Sequence, residues 1–350
     1  MKKLFSLLLT AALLLSLCAC AGAPGETNAP EELVKYTDDT GRTMDLPANI
    51  TRIAVTGPMS QIILFALAPE KLVGIANEWN PGVDGYFQEQ YLNLPVLGQL
   101  YGGKSAINLE ELLSAAPQAV LDVGEPKAGT GEDLQKLAEQ TGIPFVHFDT
   151  SLDTAGDTFR RIGELLGLQE RAETLAAYCE EMAALRDSIM TSVGDGRVKL
   201  LYLLGDKGLN VIADGSYHGQ LFTMLGENAA KLDSVSAKGT GNETDLEQIL
   251  LWDPDFIIFS RDSIAATVGD EPAWQELRAI REGNYVQAPY GPYNWMGFPP
   301  SVQLWLGMLW LADTLYPEET DYDLRTEVDR YFDLFYHCNL TDAQYAEIIG

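Results

Sequence analysis

Chemistry in this chain can start from few places, because its reactive side chains are scattered. It has three histidines among 350 residues. His147 lies inside the apolar run Phe145-Val146-His147-Phe148, which reads as a strand, and His337 lies near the C-terminus. Only His218 stands in a turn, Gly215-Ser216-Tyr217-His218-Gly219. A bare transition-metal site needs several imidazoles, thiolates or carboxylates at converging positions. This spacing does not supply them, so no metal centre and no cofactor is expected. Iron ligation by His218 or Tyr217 stays open where the metal arrives inside a haem. The nucleophile elbow, the phosphate loop, the H-E-x-x-H pair and the dinucleotide fingerprint are all missing from the sequence. The expected class is therefore a binding protein with no catalytic residues.

The candidate binding residues sit at ends of strands. On the first half, Pro58-Met59-Ser60 follows the strand Arg52–Thr56, with Ser60 read as the N-cap of the next helix and its N–H groups facing an anion. Trp79 follows the strand 72–76, and Tyr101 precedes Gly102 and Gly103 in a loop. On the second half, Tyr217 and His218 occupy a similar turn, and Arg261 follows the strand Asp255–Ser260, where a guanidinium can meet an anionic ligand. Segment 285–300 (YVQAPYGPYNWMGFPP) is too rich in Gly and Pro for regular structure. Its rings must pack or bind, and Tyr293 and Trp295 are the two expected to face ligand.

Those turns need elements to hold them. Nearly continuous apolar strands (52–56, 72–76, 119–123, 145–148, 198–204, 255–260) alternate with helical stretches. That is the pattern of parallel-rich sheets covered on both faces. INLEELLSAAPQAVLDV at 107–123 aligns on TDLEQILLWDPDFIIFS at 244–260 without a gap, offset by 137, so that a Leu-Glu helix runs into a proline and then a strand in both copies. Between the copies, Leu168 to Val193 has no Gly or Pro and is dense in strong helix formers. The expected fold is α/β: two Rossmann-like lobes, 36–167 and 195–350, joined by one long rigid helix at 168–194, with a ligand cleft between the lobes at the carboxyl ends of the strands.

The ends and the charge narrow the setting. Lys2 and Lys3 precede a short apolar run that finishes at Leu17-Cys18-Ala19-Cys20. Residues 1–19 read as a lipoprotein signal peptide with Cys20 as the lipid acceptor, and 20–35 as a flexible tether. Loss of Lys2 and Lys3 with the leader takes the formal charge from −28 to −30. So acidic a protein has no basic face for nucleic acid. Cys179 and Cys338 read as buried apolar residues, with their pairing left open.

One resemblance adds to this. The stretch TDDTGRTMDLPANITRIAV (37–55) carries Asp38-x-x-Gly41-Arg42, then Pro47 and Arg52-Ile53. It resembles the opening segment of the solute-binding lipoproteins of ATP-driven (ABC) importers for iron siderophores, haem and vitamin B12, the helical-backbone periplasmic binding proteins. LAPEKLVGI (67–75) and Asn108-Leu109-Glu110 with Pro117 match that family in order and spacing, and the likeness runs from about 36 to 316. It implies an extracytoplasmic, lipid-anchored monomer that takes an iron complex or corrinoid between two lobes. It also implies docking to the permease, which works with its own ATPase, through one glutamate per lobe, here Glu110 and Glu247. Two alternatives stand beside it. One is the same fold with a molybdate- or tungstate-type oxyanion; the other is an extracytoplasmic enzyme or adhesion module.

Overall fold

The structure, a computed structural model, describes residues 32–101 and 106–350. The leader, Cys20, Gly102 and Gly103 lie outside these. A two-stranded antiparallel ribbon opens the fold, β1 (Leu33–Thr37) against β2 (Thr43–Pro47). The expected tether therefore ends earlier than residue 35, since Leu33 to Lys35 already pair in the ribbon. Asp38 explains the turn between the strands. Its carboxylate accepts from Thr40 N at 3.1 Å, Thr40 Oγ1 at 2.7 Å and Arg42 N at 3.1 Å, while Gly41 supplies the left-handed φ of 83°. Arg42 carries the ribbon onto the first lobe by donating to the Phe145 carbonyl at 2.7 Å.

The first lobe is built on three parallel strands in the order β3 (Ile53–Val55), β4 (Ala119–Val123), β5 (Phe145–Phe148). The strand expected at 72–76 is reduced to single bridges, Ile53 with Leu72 and Ile75 with Val96. Helices α1 (Pro58–Leu67), α2 (Leu109–Ala115), α3 (Thr130–Thr141) and α4 (Ala155–Leu166) surround the sheet. Helix α5 (Gln169–Val193) then runs 25 residues, about 37 Å at 1.5 Å per residue. Arg160 of α4 pairs with Glu173 of α5 at 2.7 Å, fixing the two helices side by side.

The second lobe centres on β6 (Lys199–Leu204), with β7 (Asn210–Val211) antiparallel to it and β8 (Glu227–Asn228) parallel. Helix α6 (Gln220–Leu225) precedes β8, and β9 (Asn242–Glu243) pairs with β7. Helix α7 (Leu246–Trp252) leads into β10 (Phe256–Phe259), parallel to both β6 and β11 (Tyr285–Gln287). The repeat seen in the sequence is physical. Asn108 caps α2 and Asp245 caps α7 through their side chains, and both helices stop on a left-handed residue, Ala116 (φ 46°) or Asp253 (φ 40°), directly before a proline.

The chain then makes α8 (Leu304–Leu315), α9 (Leu324–Tyr331) and, after a π-helical turn at Phe332–Tyr336, α10 (Asp342–Ile349). This tail does not stay with the second lobe, to which the range 195–350 assigned it. Phe332 packs on Tyr86 (5.9 Å between rings), Tyr336 on Phe87 (5.8 Å) and His337 on Phe65 (5.6 Å), all first-lobe partners. His337 Nε2 donates to the Phe65 carbonyl at 3.0 Å, and Gln344 Nε2 donates to the Gly85 carbonyl at 2.7 Å. The lobes are thus joined by a helix and by a returning tail, and one apolar core runs through all three. Cys179 and Cys338 are free thiols, each pushed up to about 12 by burial, so neither is a ready nucleophile.

Candidate functional site

A cavity of about 760 Å³ lies between the lobes. The first lobe supplies the turn from Thr56 to Ser60, then Gln99, Tyr101 and the stretch from Asp122 to Lys127; the second supplies Tyr217, His218, Ala237 to Gly239 and Phe298 to Pro300. Its position follows from the topology, because β3 and β4 both end there and α1 begins there.

Five expected residues line it: Met59, Ser60, Tyr101, Tyr217 and His218. Ser60 does so in another way than expected. Helix α1 begins at Pro58 after an extended Gly57, so Ser60 is inside the first turn and is not the N-cap. Its buried Oγ accepts from Val123 N at 2.8 Å and fastens α1 to the end of β4. Tyr101 donates to Asp133 at 2.8 Å, and the Lys127 ammonium sits 4.6 Å from the centre of its ring. Tyr217 Oη reaches across to Met59 Sδ at 3.1 Å, and burial pushes its phenol up to about 12.

His218 has a defined tautomer. Its Nδ1 is 3.2 Å from the Gly297 carbonyl, which can only accept, so Nδ1 carries the hydrogen and Nε2 keeps its lone pair. The ring stacks on Phe298 (4.8 Å, 9°). Burial holds its pKa below the ordinary histidine value, with the Gly297 bond opposing only in part. The imidazole is neutral near pH 7.

Four expected residues are elsewhere, and packing explains each. Trp295 is fully buried with its Nε1 donating to the Gly291 carbonyl at 2.9 Å, and Gly307 of α8 has no side chain because the Trp295 backbone lies against it. Tyr293 is buried beside Tyr336 of the tail. Trp79 packs edge-on against Phe65 and Phe87 and donates to the Tyr91 carbonyl at 2.9 Å. Arg261 lies over Tyr290 in a separate cavity of about 270 Å³, with Tyr86 and Gln344. The sequence reading missed Thr56, Asp122, Glu125 and Lys127. Asp122 had a signal: a lone acid near the carboxyl end of an apolar parallel strand.

Glu110 and Glu247 are exposed in the first turns of α2 and α7, without an ion pair among the described residues. Among those residues, no three His, Cys, Asp or Glu side chains converge as metal ligands, and no helix is long and apolar enough to cross a membrane.

The description "periplasmic binding protein" fits residues 53–290, more than half of the chain, with the two strand-end turns of the cleft inside the match. The chain belongs to the periplasmic binding protein family. It is the solute-binding component of an ABC importer, extracytoplasmic, and not an enzyme. Among its relatives, the molybdate-binding protein MolA of Haemophilus influenzae is 25% identical over 328 residues, 86% of this chain and 90% of that one. An ABC transporter solute binding protein from Sulfurospirillum deleyianum superposes with a TM-score of 0.80 at 27% identity, covering 90% of this chain and 98% of that one. A periplasmic solute binding protein from Veillonella parvula does so at 0.73 and 27%, covering 91% and 97%.

Proposed function

We propose that this binding protein captures a metal chelate of siderophore type in the interlobe cavity and passes it to its permease. The observation that carries this is the size and wall of the cavity. Its volume of about 760 Å³ falls among pockets that enclose drug-sized ligands, about 300–1,000 Å³. A tetrahedral oxyanion would leave most of it to water. Its wall includes the rings of Tyr101 and Phe298, and the neutral His218 Nε2 offers a lone pair to an unsaturated metal or to a ligand donor. Thermal unfolding with a ferric trihydroxamate, haem, cobalamin, molybdate and tungstate tests the reading, since a bound ligand raises the midpoint.

A second reading has its own support. The N-terminus of α1 opens into the cavity at Gly57 to Ser60, a setting that suits an anion. The relative from Haemophilus influenzae is a molybdate-binding protein. Stabilisation by molybdate or tungstate alone would establish this oxyanion reading.

The docking proposal rests on the matched helices α2 and α7. Glu110 and Glu247 stand at the same step of the repeat, one per lobe, with no ion pair among the described residues, and two such charges fix orientation on a permease. Lipidation at Cys20, the monomeric state and the division into lobes at 36–167 and 195–350 around the helix at 168–194 belong to the same proposal.

A further inference from the structure

The floor of the cavity carries a charge that the sequence reading passed over. Asp122 lines the cavity from the end of β4, and its side chain is 14% exposed. Thr56 Oγ1 donates to one carboxylate oxygen, and His147 Nδ1 lies 2.7 Å from the other. A carboxylate offers about four acceptor sites, so two remain after these bonds are made. The other charged walls, Glu125, Lys127 and Lys238, are exposed rim residues, where solvent and salt weaken their fields. Asp122 is the one charged side chain among the described lining residues that is not exposed.

The pairing is built at a cost. His147 is 1% exposed, and its Nε2 has no hydrogen-bond partner among the described residues. Leaving a buried ring nitrogen unpaired is unfavourable. Its backbone is fixed as well, with His147 N donating to Asp38 at 3.3 Å and Asp39 N donating to the His147 carbonyl at 3.3 Å. The first lobe thus tolerates an orphaned nitrogen and holds a carboxylate in one orientation at the ligand cavity.

We propose that Asp122 is the charge-selecting residue of the cleft, favouring ligands that bring a positive charge or hydrogen-bond donors to its floor and disfavouring anionic ones. This rests on the chelate reading for the identity of the ligand but not for the sign of the selection. A negative charge brought beside a partly desolvated carboxylate is repelled more strongly than at the rim.

The probes are a ferric trihydroxamate with a free-amine tail, which carries one positive charge, and its N-succinylated form, which carries one negative charge. Both are titrated into the purified wild-type protein, Asp122→Asn and Glu139→Gln, the last an exposed carboxylate outside the cavity lining, with molybdate as a third probe. The wild type and Glu139→Gln are expected to prefer the cationic form by on the order of tenfold, and Asp122→Asn to lose that preference. Equal affinity of the wild type for the two forms overturns the inference even where Asp122→Asn fails to fold. A preference that survives in a folded Asp122→Asn overturns it too. If neither ferric probe binds, the chelate reading falls; molybdate binding that tightens in Asp122→Asn then still supports the inference, and molybdate binding that is unchanged overturns it.

Discussion

Tyr217 Oη lies 3.1 Å from Met59 Sδ, and through this contact the two lobes touch across the cleft. Behind the pair is a second, water-sized cavity of about 20 Å³, also walled by Ile63, Leu152 and Ala155. On the proposed reading, this contact sets the depth to which the ligand enters.

Met59→Ala removes that wall and leaves the ligand underpacked. Its affinity should fall about tenfold, equivalent to about 1.4 kcal/mol, with the unfolding midpoint of the free protein changing little. Titration calorimetry measures the first quantity and a thermal melt the second. Unchanged affinity would mean that ligand does not reach the Met59–Tyr217 contact.

Acid should loosen the protein through two histidines. Burial, then the Arg171 charge, holds His337 below the ordinary value of 6.5, and burial does the same for His218. Below 6.5 the unfolded chain binds protons that the folded chain refuses, so folded stability falls as pH drops through that value and is retained above it. The midpoint should be lower at about pH 5.5 than at about pH 7.5. His337→Asn, which tolerates the left-handed φ of 55°, should flatten part of this slope. A slope identical to wild type would remove His337 from the account.

Much of this site was legible, and the rest was not for identifiable reasons. The turns carrying Met59, Tyr217 and His218 could be found because apolar strands end where ligands bind in α/β lobes. The pairing of Glu110 with Glu247 was visible in a gapless repeat, and its caps and prolines recur in the structure. Trp295 and Tyr293 were misplaced because aromatic density marks core and ligand face alike. What buries them is remote in sequence: Gly307 against Trp295, and Tyr336 against Tyr293. Asp122 was hidden by its strand, since its partners Thr56 and His147 are 66 and 25 residues away.

The core placement of Trp295 gives a separable outcome. Trp295→Ala should cost about 3–5 kcal/mol of stability, read by chemical denaturation. Trp295→Phe should keep ligand affinity within about twofold, because the ring does not line the cavity. A loss of affinity in a fully folded Trp295→Phe would restore the sequence expectation.

Charge reversal at both proposed docking positions, Glu110→Arg with Glu247→Arg, should abolish uptake in cells and leave ligand affinity of the purified protein unchanged. Both residues are exposed on short helices away from the cavity lining, so folding should tolerate the change. Normal uptake by the double variant would contradict the two-point docking.

The measurement that bears most directly on the central claim is thermal unfolding of the purified protein with a ferric trihydroxamate in one series and molybdate in another. At about 100 times its dissociation constant a ligand adds about 2.7 kcal/mol, a rise of a few degrees for a chain of this size. The account predicts that rise with the ferric chelate and none with molybdate. A rise with molybdate alone would contradict it and would mark the α1 N-terminus as the seat of an oxyanion.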